Sequence, residues 1–263
     1  MEYTLNIKGR LLDLKEPTVM GILNATPDSF FADSRKQTEQ EIADRANEIV
    51  AQGGTFIDVG AYSTRPGATE VSEQEEMARL RMALAVVRRE QSDVPVSIDT
   101  FRPDVARMAV EEYGADIIND VSEGEDEAMF RMVARLGVPY ILMSVQKDLH
   151  DTLMAFAKKV QMLRDMGQRD IILDPGFGFG KTVEENYRLM NEMEKLQVMG
   201  LPLLVGISRK SMIFKLLQSD QSKALNGTTV LNTISLMKGA DILRVHDVKE
   251  AVECVKFFKA LNS

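Results

Sequence analysis

The sequence predicts an α/β fold, a (β/α)8 TIM barrel preceded by a short N-terminal β-hairpin. Eight short apolar runs rich in Ile, Val and Leu alternate with helical segments, as is typical of parallel strands buried on both faces. The length of 263 residues matches the usual size of such a barrel. An open, doubly wound sheet is the main alternative, but it requires edge strands of different character, and the runs show none. We therefore expect one domain over residues 1–263.

The hairpin is predicted over residues 2–14, with its turn at Lys8-Gly9-Arg10, where it would close the bottom of the barrel. The barrel strands are predicted at 18–23, 56–60, 96–99, 117–120, 140–143, 171–174, 203–207 and 242–245. The helices are predicted at 37–52, 72–91, 103–112, 125–136, 151–167, 183–199, 222–238 and 247–261.

Local signals support the helices and their ends. Ser72 and Glu75 have the spacing of a capping box at the start of the second helix, and Pro103 suits the first turn of the third. Apolar residues recur at helical spacing in the second helix, at Met77, Leu80, Leu84 and Val87. Several helices are followed by a glycine, the residue that most easily adopts the left-handed conformation beyond a helix end. These glycines are Gly53, Gly114, Gly137, Gly200 and Gly239.

Composition excludes several classes of function. The net charge of −8 and the pI of about 5.0 argue against nucleic acid or an anionic membrane surface as the main partner, because both attract basic proteins. No run of about 18 apolar residues is present, so no membrane span is expected. Cys254 is the only cysteine and no signal peptide is recognisable at the start, which together predict a cytoplasmic protein.

Polar clusters follow all eight predicted strands. In a barrel of this type the C-terminal ends of the strands form the active-site face, so the clusters predict one catalytic bowl. They are Asn24-Ala25-Thr26-Pro27-Asp28, Ser63-Thr64-Arg65-Pro66, Asp99-Thr100, Asn119-Asp120, Met143-Ser144, Asp174-Pro175-Gly176, Ser208-Arg209-Lys210-Ser211 and Arg244-Val245-His246-Asp247.

Five of these segments resemble, in order, motifs of the dihydropteroate synthase family, and the resemblance covers residues 18–255. They are residues 24–30, 63–67 and 173–181, the last reading Leu-Asp-Pro-Gly-Phe-Gly-Phe-Gly-Lys, followed by 206–211 and 244–247. The resemblance implies a transferase that joins 6-hydroxymethyl-7,8-dihydropterin pyrophosphate to p-aminobenzoate, releasing pyrophosphate and forming dihydropteroate for folate synthesis. It also implies Mg2+ as cofactor, a (β/α)8 barrel and a homodimer.

The resemblance assigns roles to individual residues. It places the catalytic groups at Asn24, Arg65, Lys210, Arg244 and His246, with Asn24 also a Mg2+ ligand. It places substrate contacts at Thr64, Pro66, Asp99, Asn119, Met143, Asp174, Phe179, Lys210 and Ser211. The chemistry agrees, because a buried carboxylate such as Asp174 can accept from two N–H donors on the guanine-like edge of a pterin. Fixed positive charge and a metal would stabilise the departing pyrophosphate.

Other readings of these residues remain open. Asp174-Pro175-Gly176 could be a plain turn, Asn119 and Asp99 a hydrogen-bond network that only stiffens the barrel, and Met143 ordinary core. We read Asp120 as structural and His150, in a loop without a motif, as solvated. The segment 176–181 lacks the Gly-x4-Gly-Lys-[Ser/Thr] spacing of a phosphate loop, so it does not predict nucleotide binding.

The chain departs from the family pattern at three places. Met143-Ser144-Val145 stands where the family has Met-His-Met, Gly60-Ala61-Tyr62 stands before Ser63 where it has Gly-Gly-Glu, and residues 31–35 replace a glycine-rich stretch. Two rival functions follow: a pterin-binding methyltransferase domain, and a non-catalytic homologue that binds pterin or regulates a partner. The methyltransferase does not need a pyrophosphate site. The non-catalytic homologue does not explain why the assigned polar residues are all present, namely Asn24, Arg65, Asp174, Lys210, Arg244 and His246.

Overall fold

The computed structural model describes residues 3–25, 35–62 and 71–262. Ten strands occur in these ranges: β1 Thr4–Ile7, β2 Arg10–Asp13, β3 Thr18–Asn24, β4 Phe56–Gly60, β5 Val96–Asp99, β6 Ile117–Asp120, β7 Tyr140–Met143, β8 Ile171–Asp174, β9 Leu204–Val205 and β10 Ile242–Val245. The α-helices there are α1 Arg35–Ala51, α2 Glu73–Glu90, α3 Pro103–Tyr113, α4 Glu127–Leu136, α5 Leu149–Asp165, α6 Val183–Glu192, α7 Ser211–Leu216, α8 Leu225–Met237 and α9 Val248–Leu261. Two 3-10 helices cover Met193–Met199 and Gln221–Lys223.

Strands β3–β10 form one parallel sheet that curls into a barrel, which confirms the predicted fold class. Neighbours follow the chain from β3 to β8, and β10 pairs with both β3 and β9. The sheet closes between β8 and β9, where Leu173 and Leu203 form a parallel bridge and the Leu173 amide donates to the Pro202 carbonyl at 2.9 Å.

The hairpin β1–β2 closes the bottom of the barrel, as predicted. Leu5, Ile7 and Leu14 are buried, and their cluster contains the inward residues of the first barrel layer. Those residues are Met20, Phe56, Ile117, Ile141, Ile172, Leu204 and Ile242. Lys8 fixes the turn from outside through an ion pair with Asp116 at 2.7 Å. The barrel therefore has an apolar floor, and polar side chains inside it are confined to the layer above.

Most helix ends agree with the sequence signals. The Ser72 hydroxyl accepts from the Glu75 amide at 3.2 Å, and Pro103 opens α3. Gly114, Gly137 and Gly200 take left-handed conformations after their helices. No helix in the described ranges has the length and apolar character needed to span a bilayer.

Three predicted elements need correction. The strand expected at 203–207 is only Leu204–Val205, because the chain already turns at Ile207, whose carbonyl accepts from the Lys210 amide at 3.1 Å. The helix expected at 183–199 continues from Met193 as a 3-10 helix. The helix expected at 222–238 begins at Leu225, after a separate 3-10 turn capped by Asp220.

The hairpin's contribution to stability can be tested by Leu5→Ala. Leu5 is fully buried against the floor, so its truncation should lower the free energy of unfolding by about 2–5 kcal/mol, as measured by urea denaturation. Leu11→Ala is the matched control, because Leu11 lies in the same hairpin but is 73% exposed. Equal, small effects of the two substitutions would show that the hairpin does not seal the barrel.

Candidate active site at the C-terminal ends of the barrel strands

The parallel sheet brings the described polar clusters to one end of the barrel, because all eight strands run in the same direction. Several contacts cross the barrel rather than run along a strand. Arg244 on β10 reaches Asp58 on β4 and Asp99 on β5. The residues assigned from separate motifs therefore share one site.

Arg244 is the central cation of this site. Its Nε donates to Asp58 Oδ2 and its Nη2 to Asp99 Oδ2, both at 2.6 Å. Only 17% of its side chain is exposed. Burial disfavours its charge, but the Asp58 and Asp99 carboxylates outweigh burial and raise the pKa of Arg244 above its ordinary value.

The two acids differ in their surroundings. Asp58 is fully buried, and it also accepts from Asn119 Nδ2 at 3.3 Å. Asp99 lies nearer the opening, and burial raises its pKa to about 7 although Arg244 works in the opposite direction. Two carboxylates share one guanidinium, so neighbouring negative charge adds to the rise.

Buried acceptors remain available above the floor. Within the described residues, Asp58 Oδ1 and Asn119 Oδ1 are buried and have no hydrogen-bond partner. Unpaired buried acceptors are costly, so they indicate a place where a ligand or water supplies donors.

Asp174 is held by the turn that follows β8. Its Oδ1 accepts from the Gly176 amide at 2.7 Å, and burial raises the pKa of Asp174. Gly176 has φ +71°, and a Cβ built there would lie 1.9 Å from the Ser144 carbonyl oxygen. Only glycine fits this position, so the turn aims Asp174 while packing tightly against the end of β7.

Two lysines flank this carboxylate. Lys210 donates to the Phe177 carbonyl, and its Nζ lies 4.5 Å from the centroid of the Phe179 ring. Lys181 donates to the carbonyls of Gly176 at 2.9 Å and Ser144 at 3.2 Å. Burial lowers the pKa of each lysine to about 8, and the charge of Asp174 opposes that shift in both. Asp174 therefore interacts electrostatically with two cations at one side of the bowl.

The β9 and β10 ends form a second polar group. His246 Nδ1 and Ser208 Oγ are 3.0 Å apart, and the Ser208 hydroxyl also accepts from the His246 amide at 3.1 Å. Arg209 makes a bidentate ion pair with Asp247 at 2.8 Å for both bonds. These contacts join the segment before α7 to the end of β10.

Met143 is fully buried and pairs in register with Asp174. Ser211 is the first residue of α7, directly after Lys210. Asn24 ends β3 and is exposed. The predicted residues Thr64, Arg65 and Pro66 lie outside the described residues.

Two readings of residues outside the site agree with the structure. Asp120 is structural: it accepts from the Tyr140 hydroxyl at 2.6 Å on the outer side of the sheet. His150 is exposed at the start of α5.

Sequence reasoning missed Asp58 and Lys181 as members of the site. A signal for Asp58 was present, because it is the one charged residue in the buried strand Phe56–Gly60. Lys181 ends the family motif of residues 173–181, but the sequence assigned it no role of its own. Its partners are backbone carbonyls, and no sequence pattern identifies such partners in advance.

No group of three or more His, Cys, Asp or Glu side chains in the described ranges could hold a metal ion. Asn24 offers an amide oxygen at the open end of the barrel. A single oxygen ligand suits Mg2+, which usually keeps several waters and binds substrate phosphates. The residues therefore fit a metal that is carried largely by a phosphorylated ligand.

Comparisons with known proteins agree with this geometry. The family model described as pterin binding enzyme matches residues 20–246. Dihydropteroate synthase of Escherichia coli K12 is 38% identical to the chain, covering 97% of this chain and 95% of that protein. Dihydropteroate synthase of Xanthomonas albilineans, solved with 4-aminobenzoic acid, superposes with a TM-score of 0.93 at 32% identity, over 100% and 99% of the two chains. The 7,8-dihydropteroate synthase of Vibrio fischeri ES114 gives 0.88 at 38% identity, over 99% and 98%.

The role of Asp58 in holding the central cation can be tested by Asp58→Asn. The substitution removes the charged acceptor of the Arg244 Nε–H hydrogen bond, so we expect the free energy of unfolding to fall by about 2–3 kcal/mol. Chemical denaturation at neutral pH measures the change, and Asp93→Asn, at an exposed position, is the control. Unaltered stability of the Asp58 variant would show that Asp99 alone balances Arg244.

Proposed function

The chain belongs to the dihydropteroate synthase family of pterin-binding enzymes, and we propose that it joins 6-hydroxymethyl-7,8-dihydropterin pyrophosphate to p-aminobenzoate. It is a transferase of folate biosynthesis. The observation that carries this function is the polar layer above the apolar floor. It consists of Asp174, Asn119 and Arg244 with its two carboxylate partners, Asp58 and Asp99. A flat heterocycle with several N–H donors and a carbonyl suits this layer.

The pterin binds in the buried layer. The Asp174 carboxylate accepts from the exocyclic amine and the adjacent ring N–H, as a bidentate pair. The unpaired Asn119 Oδ1 is a further acceptor, and Asp99 borders the same space. Lys210 donates to the pterin carbonyl or a ring nitrogen, and Met143 provides an apolar wall.

The reaction breaks the C–O bond between the pterin methylene and pyrophosphate, and the amine nitrogen of p-aminobenzoate forms the new C–N bond and loses a proton. Negative charge grows on the leaving oxygens, so cations and hydrogen-bond donors near them lower the barrier. We assign this task to Asn24, Arg65, His246 and Arg244. His246 is oriented by Ser208, whereas part of the charge of Arg244 is already offset by Asp58 and Asp99.

Mg2+ is part of the proposal, with Asn24 as its protein ligand. When bound, the metal neutralises charge on the pyrophosphate. Thr64, Pro66, Phe179 and Ser211 are assigned to p-aminobenzoate, with Pro66 and Phe179 at its ring and the Ser211 hydroxyl at its carboxylate. This carboxylate is the alternative partner of Arg65 to the pyrophosphate. Closure of loops around the pterin would keep water away from the reacting carbon.

We also propose a homodimer, formed through α8 and α9. The two helices pack against each other and leave large apolar side chains exposed: Val230, Met237, Phe257 and Leu261. Several large apolar side chains exposed on two neighbouring helices favour an interface between protein chains at these helices. Light scattering at micromolar concentration tests the proposed dimer.

We place the protein in the cytoplasm, since its single cysteine is a free, buried thiol.

The proposed reaction is tested by measuring pyrophosphate release from the dihydropterin substrate with Mg2+, with and without p-aminobenzoate. We expect release coupled to dihydropteroate formation. Asp174→Asn should weaken pterin binding by roughly 2–3 kcal/mol in calorimetry, because a charged acceptor is lost. Pterin binding without release in a folded sample would favour the non-catalytic homologue, and unchanged affinity of the variant would overturn the role of Asp174.

Pterin affinity should depend on the charge of Lys210. Its pKa is lowered to about 8, so the ammonium donor is present below that pH and is lost above it. We therefore expect the affinity of the wild-type protein to fall between about pH 7 and pH 9, relative to Lys210→Arg, whose guanidinium stays charged. The titration of the ligand is common to both proteins, so the ratio of their dissociation constants reports the side chain.

Lys181 also has a pKa of about 8, and Asp174, Arg244 and Asp99 contribute to the field at Lys210. A ratio that does not change with pH would assign the alkaline loss of affinity to Lys181 or to the ligand, and Lys181→Arg separates these two.

A further inference from the structure

Glu123 has a backbone conformation that disfavours it. It lies in the loop between β6 and α4 with φ +63°, in the left-handed region, and Gly124 follows with φ +61°. Glycine adopts this conformation without cost, whereas a side chain with a Cβ does not. A glutamate therefore occupies this position against the local backbone preference, which indicates that its side chain has a task.

The Glu123 carboxylate is buried and accepts hydrogen bonds from the three residues that follow β7. Ser144 Oγ donates at 3.0 Å, the Val145 amide at 3.2 Å, and Gln146 Nε2 at 3.1 and 3.0 Å to the two oxygens. Lys159 of α5 lies 3.5 Å from the carboxylate and donates to the Glu123 carbonyl. One carboxylate thus holds a whole loop segment.

The segment that it holds touches the pterin site directly. The Ser144 carbonyl accepts from Lys181 at 3.2 Å and packs against Gly176, where it leaves no room for a Cβ. The Ser144 amide donates to the Asp174 carbonyl at 2.8 Å. Met143, the proposed pterin wall, immediately precedes Ser144.

The loop that carries Glu123 is itself fixed on its other side. Asp120 Oδ1 accepts from the Ser122 amide at 2.7 Å and from its hydroxyl at 2.6 Å, while Tyr140 anchors the second oxygen. Glu123 is therefore presented by a rigid turn, as a positioning group requires.

We propose that Glu123 is a positioning residue for pterin binding, whose carboxylate fixes Ser144 and thereby the Met143 wall and the Asp174–Gly176 turn. The proposal rests on the proposed function for the identity of the ligand. Ser144 stands where the family has a histidine, and in this chain its hydroxyl is held by Glu123 from the neighbouring loop.

Two variants and one control test the proposal in the full-length protein. Glu123→Gly removes the brace and relieves the backbone, so the protein should fold. Glu123→Gln keeps the size and one acceptor oxygen but loses the charge. Glu125→Gln is the control, because Glu125 is exposed in the same loop. We would measure the dissociation constant of 6-hydroxymethylpterin by calorimetry, KM for each substrate, kcat and the melting temperature.

We expect Glu123→Gly to raise the pterin dissociation constant and the KM of the pterin substrate by about tenfold, since a displaced loop misplaces both contacts. Glu123→Gln should fall between this variant and the wild type, and the KM for p-aminobenzoate at saturating pterin should change little. Pterin affinity within about twofold of the wild type in a folded Glu123→Gly protein would overturn the proposal, even if its melting temperature fell. If that variant does not fold, the same criterion applies to Glu123→Gln.

The calorimetric measurement separates this proposal from the proposed function. A wild-type protein that binds pterin without forming dihydropteroate would refute the synthase activity and leave the Glu123 comparison intact. A folded wild-type protein that does not bind pterin would refute both.

Discussion

A buried guanidinium inside the barrel governs the arrangement of the site. Arg244 on β10 pairs with Asp58 on β4 and Asp99 on β5, and β3 lies between β10 and β4. The interaction is strong because the apolar floor below excludes water from one side. The three groups together carry one excess negative charge. Burial raises the pKa of Asp99 toward neutrality, and the neighbouring Asp58 charge adds to that rise, while Arg244 stays charged.

The floor and the polar layer depend on each other. The hairpin seals the bottom with Leu5 and Leu14, so the polar side chains of the next layer can turn only toward one another or toward the mouth. The opening is at the C-terminal ends of the strands, where the Asp174–Gly176 turn and the segment before α7 bring lysines to the rim. The floor is apolar, the layer above it is polar, and the lysines lie nearer the mouth. This order suits a ligand with a flat polar ring and an anionic tail.

The departures from the family pattern have structural partners in the described residues. Tyr62 packs edge-on against Phe101 with ring centroids 5.3 Å apart, and the Arg102 guanidinium lies over both rings. Ser144 is held by Glu123. These two substituted residues therefore each contact a neighbouring loop, which favours an adapted site over a decayed one. Residues 31–34 of the third departure lie outside the described residues.

The sequence by itself determined the barrel, the hairpin and most element positions. Their signals are local: apolar runs of strand length, helical spacing such as Leu80 and Leu84, and glycines beyond helix ends. It also determined which motifs to expect at the strand ends, because strand direction alone puts them on one face. The short strand Leu204–Val205 was overestimated, since the turn at Ile207 depends on a backbone hydrogen bond and not on composition.

Only the tertiary structure decided which side chains meet. Arg244 is separated from Asp58 by 186 positions in the sequence and from Asp99 by 145, and no local pattern encodes such a pairing. The same holds for Glu123 and Ser144, which are brought together by adjacent loops, and for Lys181, whose partners are carbonyls. The sequence specifies local conformation through short-range sterics and burial, whereas the site is made of contacts that exist only once the sheet has closed on itself.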